Sequence, residues 1–296
     1  MKKRKGTAVL FIIPFLLFFL LFWLIPFVYG IVMSVSKYSL IQGNRGFVGL
    51  ANYIKILFSS SMYHKSFVQG LGNTVIFVVL TTPFLVFGSL FLALLLDRLP
   101  ERLKGIFRTI YFASYSVSVT AVAAVFVWLM KGNGGYFNNM LISMGIIKTP
   151  IPWMEQQPFV WVALTVATVW WTIGYDMMLF VNALNEIDTS LYEASAMDGA
   201  GFWVQFRYII LPNIKNVFFF VLMTTIIASF NVYGQPRLMT KGGPGETTKP
   251  LIMITSTIMD RNDLGVGSAM TILMGVVIIL CSVGQYYLTK EKDNLK

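Results

Sequence analysis

Few residues in this 296-residue chain are of the kinds that make and break covalent bonds. One histidine, His64, and one cysteine, Cys281, leave no His-pair motif, no cysteine-based metal site and no internal disulfide. No GxxxxGK[ST] loop occurs, so any ATP hydrolysis must come from another chain. What remains is non-covalent recognition. Two groups of polar and aromatic residues interrupt apolar stretches: Trp170, Trp171, Thr172, Tyr175 and Asp176, and then Ser229, Asn231, Tyr233 and Gln235. Aromatic faces beside amide and hydroxyl groups suit a solute with hydroxyl edges and weakly apolar C–H faces, as a sugar has. Packing explains Trp170 and Trp171 equally well, and helix-to-helix hydrogen bonds are a second use for Asn231 and Gln235. A carboxylate facing lipid would cost about 2.5–3.5 kcal/mol, so Asp176 is expected to face a cavity or a cationic partner. Both uses of Asp176, solute binding and ion pairing, stand open.

The elements that must position these residues are membrane helices. Hydrophobic residues make up 56% of the chain and charged residues 12%, about half the charged share of a soluble domain. The mean hydropathy is +0.70. A net charge of +10 raises the question of nucleic acid, but many basic residues lie at the ends of apolar runs, where they read as membrane flanks. Six stretches meet the roughly 20-residue length of a span: Thr7–Val32, Gly70–Leu96, Phe107–Met130, Phe159–Asn182, Val217–Gln235 and Val266–Leu288. They are continuously apolar and do not alternate at period two, which predicts helices and excludes a barrel. The whole chain, 1–296, reads as one all-α transmembrane domain. Thr7–Val32 is too long for a signal peptide's apolar core and no small-x-small cleavage site follows, so it reads as a retained span. The sixteen methionines read as packing rather than a metal pathway.

Basic residues set the orientation. Lys2, Lys3, Arg4 and Lys5 precede the first span, Arg98, Arg102, Lys104 and Arg108 fill the next short loop, and Lys290, Lys292 and Lys296 end the chain. These segments and the 190–212 stretch are expected on the cytoplasmic side, with both termini there. That stretch is polar and amphipathic, and it reads as two short helices around a bend. Ser190 and Glu193 have capping-box spacing, Gly199 and Gly201 make the corner, and Pro212 is expected to stop the second helix, roughly 202–211. The plain alternative is an amphipathic helix lying on the membrane surface.

The run Glu193, Ala194, Ser195, Ala196, Met197, Asp198, Gly199, Ala200, Gly201, followed by Ile210, Leu211 and Pro212, resembles the EAA loop of ABC importer permeases, with Ser195 in place of the usual alanine. Other segments resemble the carbohydrate-importer branch of that family, of the maltose-permease type. These are Gly46–Tyr53, Asn73-Thr74 opening the second span, Gly134, Gly135 and Asn138 after the third, Leu238–Thr248 with its Gly-Gly-Pro, and Gly265–Ala269. One departure concerns the third span, where Phe112–Tyr115 lacks the usual proline and no kink is expected.

The resemblance implies the type I importer permease fold, with six transmembrane helices and a cytoplasmic coupling helix between the fourth and fifth. It implies that Glu193, Ala194, Ser195, Met197, Asp198, Gly199, Ala200 and Pro212 couple the chain to an ATPase. Trp171, Thr172 and Tyr175 fall at the family's sugar-contact positions, with Asp176, Ser229, Asn231, Tyr233 and Gln235 completing the path. The implied partners are a second permease subunit, two ATP-binding cassette subunits that hold the ATP and magnesium, and an extracytoplasmic sugar-binding protein. No cofactor, metal or nucleic acid is expected on this chain. The implied place is a bacterial inner membrane and the implied cargo a di- or oligosaccharide. Two rival readings are an ABC permease for a polyol or glycerol phosphate, and an ion-coupled secondary transporter with Asp176 as its coupling carboxylate. The second would call for inverted repeats with broken helices, and no repeat is visible.

Overall fold

In a computed structural model, which describes the backbone of residues 2–291 and the side chains of residues 11–287, the chain falls into two compact units. Residues 2–69 and 254–277 form one, and residues 70–253 with 278–291 form the other. The basic side chains of Lys2 to Lys5, and those of Lys290, Lys292 and Lys296, lie outside the described residues.

Among the described residues, five helices are long and apolar enough to cross a membrane, or six if one bent pair counts as a single span. The first, α1, is apolar over Phe11–Ser34. It is followed by the hairpin strands β1, Ser36–Ser39, and β2, Gly43–Phe47, and by the short helix α2, Ala51–Leu57. The segment Gly46–Tyr53 earns its residue types here. Buried Asn52 donates to the carbonyls of Ser34 at 2.8 Å and Ser36 at 3.0 Å, and the Tyr53 hydroxyl meets the Ser34 hydroxyl at 2.7 Å. Carbonyls released where α1 ends are thus satisfied by one amide side chain. In the same unit Tyr63 donates to Asp263 at 2.8 Å.

The second span, α3, runs Met62–Asp97, earlier at its start than the predicted Gly70. Asn73 and Thr74 therefore lie well inside the helix rather than opening it. At 1.5 Å per residue α3 is ~54 Å long, well beyond the ~30 Å hydrocarbon layer. The third predicted span is broken. Helices α4, Glu101–Tyr115, and α5, Val119–Leu129, meet at 92°. The bend needs no proline: Ser118 takes an extended conformation and its hydroxyl accepts from the Ala121 amide at 3.3 Å, beginning a new helix. The expectation of no kink fails because a capping serine can start a helix as effectively as a proline ends one.

After α5 comes the short helix α6, Tyr136–Ser143, whose connections are organised by Asn138. Only 1% exposed, Asn138 donates to the carbonyls of Gly132 and Ile151 at 2.8 and 2.9 Å. Its side-chain oxygen accepts from the Ile151 amide and the Trp153 indole, both at 3.0 Å. The fourth span, α7, is Phe159–Asn185. Helix α8, Thr189–Met197, follows, then the fifth span, α9, Phe202–Phe230, then α10, Leu251–Asp260, and α11, Leu264–Glu291.

Two features of α9 differ from the predicted fifth span, Val217–Gln235. The helix ends at Phe230, so Asn231, Tyr233 and Gln235 lie beyond it in a break that leads to a π-helical turn, Pro236–Thr240. Pro212, expected as a stop, sits inside a continuous helix. The reason is local: α9 widens over Phe206–Ile210, with the Leu211 amide bonded to the Phe206 carbonyl five residues back. A wide turn just before the proline relieves the demand for an amide hydrogen and the clash with the carbonyl four back. The same device recurs in α1, where a π-helical turn at Leu20–Leu24 precedes Pro26.

Within the second unit, α3, α7 and α9, with α5 and the break after α9, contribute to two apolar clusters. One gathers Val86, Met177, Phe180, Leu184, Ile214 and Val221, and the other Phe77, Val122, Phe126, Leu164 and Val232. Close approach of α4 to α7 depends on Gly174, where a Cβ would collide with the Tyr111 carbonyl. The bend between α4 and α5 is thereby held hard against the fourth span.

Candidate functional site

A cavity of about 510 Å³ opens in the second unit, between the α4–α5 bend, α7 and the end of α9. All eight residues predicted for a solute path line it: Trp171, Thr172, Tyr175 and Asp176 from α7, and Ser229, Asn231, Tyr233 and Gln235 from the end of α9 and the break after it. Trp170, one residue away, points elsewhere and packs on Phe126. The helix end at Phe230 is what turns the second group toward the cavity, since residues 229 to 235 on a continuous helix would spread around its circumference.

The side chains differ in how much of their bonding capacity is spent. Asn231 donates to the Ile227 carbonyl at 2.8 Å, capping α9, and Thr172 donates to the Thr168 carbonyl at 2.8 Å. Ser229 shares a 3.3 Å hydrogen bond with Thr81. The Trp171 indole donates to the Val117 carbonyl at 2.9 Å, inside the bend. This leaves Trp171 with only its ring face to offer. Asp176 is 6% exposed, and Thr225 donates to it at 3.3 Å. Among the described residues no basic side chain pairs with Asp176, so the ion-pair reading finds no partner among them.

The wall contains residues that the sequence did not mark. Tyr115, at the last turn of α4, stacks on Tyr175 with centroids 5.0 Å apart and on Trp171 at 6.1 Å. Three aromatic rings therefore make a continuous face along one side. Thr168, Thr225 and Val119 also line the cavity. The one available signal was Ser118 in capping position, which would have placed Tyr115 beside a bend.

The second candidate region is the elbow between α7 and α9. Helix α8 is capped by Asp188, whose carboxylate accepts from the Ser190 amide at 2.9 Å. The capping box expected from Ser190 and Glu193 does not form, because Asp188 occupies the cap two residues earlier and Glu193 is left exposed in the second turn. That amide holds the Asp188 carboxyl below the usual carboxylate range. Burial, with the charge of Asp97 nearby, pushes the Tyr192 phenol up.

The corner is a Schellman motif. Gly199 has φ +71°, its amide bonds the Ala196 carbonyl at 3.0 Å, and the Ala200 amide bonds Ser195 at 2.9 Å. Ser195, the residue that departs from the family's alanine, donates to the Tyr192 carbonyl at 2.8 Å and accepts from the Gln205 amide group at 3.0 Å. It cross-braces the two arms. Arg98 lies 4.0 Å over the Phe202 ring, tying the loop after α3 to the elbow. Large side chains nonetheless face outward here: Met197 is 90% exposed and Trp203 76%. Of the eight residues predicted for coupling, seven lie on α8 and its corner, and Pro212 lies apart within α9.

Comparison with known proteins gives a consistent picture. A family model described as "Binding-protein-dependent transport system inner membrane component" matches residues 48–292. The probable ABC transporter permease protein YurN of Bacillus subtilis (strain 168) is 29% identical over 287 residues, spanning 96% of each chain. The lactose transport system permease protein LacF of Rhizobium radiobacter is 30% identical over 230 residues, covering 76% of this chain and 77% of its own. A crystal structure of a bacterial ABC transporter that imports the acidic polysaccharide alginate contains a chain of the same fold. It has TM-score 0.81 and 20% identity, over 98% of this chain and 96% of that one.

Proposed function

The chain belongs to the binding-protein-dependent transport system inner membrane components, and from that premise we propose that it is the permease subunit of an ATP-driven importer for a di- or oligosaccharide. Its fold is that of the type I ABC importer permease. The observation that carries the sugar assignment is the cavity. Its aromatic face of Tyr115, Tyr175 and Trp171 shares the cavity with the hydroxyl and amide groups of Ser229, Asn231 and Gln235, a combination matched to the C–H faces and hydroxyl edges of a saccharide. The name of the lactose permease relative supports the same class.

In this reading an extracytoplasmic binding protein delivers the sugar, a second permease subunit completes the pathway, and two ATPase subunits bind ATP and magnesium. The chain sits as a multi-pass protein in the inner membrane of a bacterial cell, with both termini and the elbow on the cytoplasmic side. Closure of the ATPase pair pushes on α8 through the exposed residues Glu193, Ala194, Met197 and Asp198. Gly199 and Ala200 shape the corner, Ser195 braces it, and Pro212 with its widened turn passes the motion into α9. Alternating access follows as the cavity wall rocks with these helices.

Uptake of labelled oligosaccharides in cells or proteoliposomes tests this directly. Transport is expected to stop when the ATPase subunits are omitted and to persist under an ionophore. The opposite pattern would instead establish the ion-coupled reading. Transport of a polyol or glycerol phosphate in preference to every oligosaccharide would overturn the cargo class while leaving the importer intact.

A further inference from the structure

The cavity contains one acidic side chain and no basic one. Among its lining residues Asp176 carries the sole carboxyl group, and there is no Lys, Arg or His. Asp176 lines the cavity from α7 and is itself buried. Thr225 supplies a single hydrogen bond to one of its oxygens, at 3.3 Å. A carboxylate ordinarily accepts up to about four hydrogen bonds, so most of its capacity faces the cavity or goes unused. The Thr168 hydroxyl, about two turns earlier on α7 and lining the same cavity, is buried and has no hydrogen-bond partner. A charge kept at low exposure without a cation is costly to maintain. An asparagine would have filled the same volume and accepted the same Thr225 bond.

We propose that Asp176 is a charge filter: the cavity takes neutral and amine-bearing saccharides and rejects uronates and other anionic ones. This rests on the sugar reading above and narrows it. A donor-rich cargo satisfies the free carboxyl oxygens directly, through hydroxyls in a neutral sugar and through an ammonium in an amino sugar. A uronate brings a second negative charge within a few ångströms of an ionised Asp176, and among the described lining residues of this chain no Lys, Arg or His compensates it. The selection therefore resides in the membrane chain itself, in addition to whatever the binding protein imposes.

The test uses the chain assembled with its partner permease subunit in lipid nanodiscs, without a binding protein, reading quenching of tryptophan fluorescence, since Trp171 lines the cavity. Three disaccharides of one backbone serve as probes: neutral cellobiose, its glucosamine counterpart and cellobiouronic acid. The uronate is expected to bind at least about tenfold more weakly than cellobiose, the effect of a single uncompensated like charge. The amino sugar is expected to bind at least as well as cellobiose. In Asp176→Asn the gap between neutral and anionic probes should close to within about threefold, while Asp176→Glu should keep it. Equal binding of cellobiose and cellobiouronic acid by the unaltered chain, or a gap that persists in Asp176→Asn, overturns the filter without touching the sugar reading. Failure of all three saccharides to quench, in a chain that retains its fluorescence and folding, removes the sugar reading and the filter together.

Discussion

The two polar interruptions of the second unit, the elbow around Gly199 and the loop from Pro236 to Pro250, are built in opposite ways. The loop closes on itself. Thr240 and Thr248 share a 2.8 Å hydrogen bond, Thr248 donates to the Gly243 carbonyl at 2.6 Å, and its own amide bonds the Gly242 carbonyl at 3.2 Å. From α3, Asn73 donates to the carbonyls of Glu246 and Lys249, both at 3.0 Å, and the Thr74 hydroxyl accepts from the Leu251 amide at 2.9 Å. The elbow spends its hydrogen bonds on its cap, corner and brace, and leaves Glu193, Met197 and Trp203 facing outward. A segment that must keep its shape unaided satisfies its own backbone, whereas a segment that must be gripped presents side chains. The loop is a fixed part of this chain, and the proposed function makes the elbow half of an interface.

That contrast predicts stability losses in the loop and coupling losses in the elbow. The largest expected effect is on Asn73→Ala, which strands two carbonyls and should cost about 2–4 kcal/mol of stability, seen as a lower thermal midpoint in detergent. Thr248→Val should cost about 1–3 kcal/mol by the same assay, from the hydroxyl's two lost hydrogen bonds. Gly199→Asp comes next. It has open space for a side chain but a left-handed backbone, so about 1–2 kcal/mol is expected. Its uptake should nevertheless fall more steeply than in either loop variant, with ATP hydrolysis uncoupled. Normal uptake in Gly199→Asp would break the comparison.

Met197→Ser should leave stability within about 0.5 kcal/mol, because the side chain is exposed, yet weaken co-purification of the ATPase subunits. The smallest effect concerns acid. Asp188 is held ionised by the Ser190 amide, so its cap contributes above the ordinary carboxylate range and is lost as the pH falls through the depressed folded value. Asp188→Asn should flatten that low-pH loss in helicity of α8, measurable by hydrogen exchange across 189–197.

The cavity residues could be read from the sequence because polarity inside an apolar run is expensive and therefore conspicuous. Trp171, Asp176 and Ser229 stand out on that ground alone. Tyr115 does not, since an aromatic at the end of an amphipathic helix is unremarkable until the 92° bend brings it against Tyr175. Pro212 misled for a related reason. The rule that proline stops a helix assumes regular α-geometry, and nothing in Phe206–Ile210 announces the wider turn that suspends it. At α8 two residues could each have served as cap, and Asp188 was overlooked beside the more patterned Ser190 and Glu193. Local chemistry was readable throughout, but backbone irregularity was not.

One bond joins matters that look separate. The Trp171 indole, part of the cavity wall, is fastened to the Val117 carbonyl at the vertex of the broken third span. Straightening or sharpening that vertex must swivel the ring, and a guest pressed against the ring must resist the swivel. Occupancy and backbone angle are then two readings of a single coordinate, so a filled chamber would report itself to the rest of the span without any messenger in between.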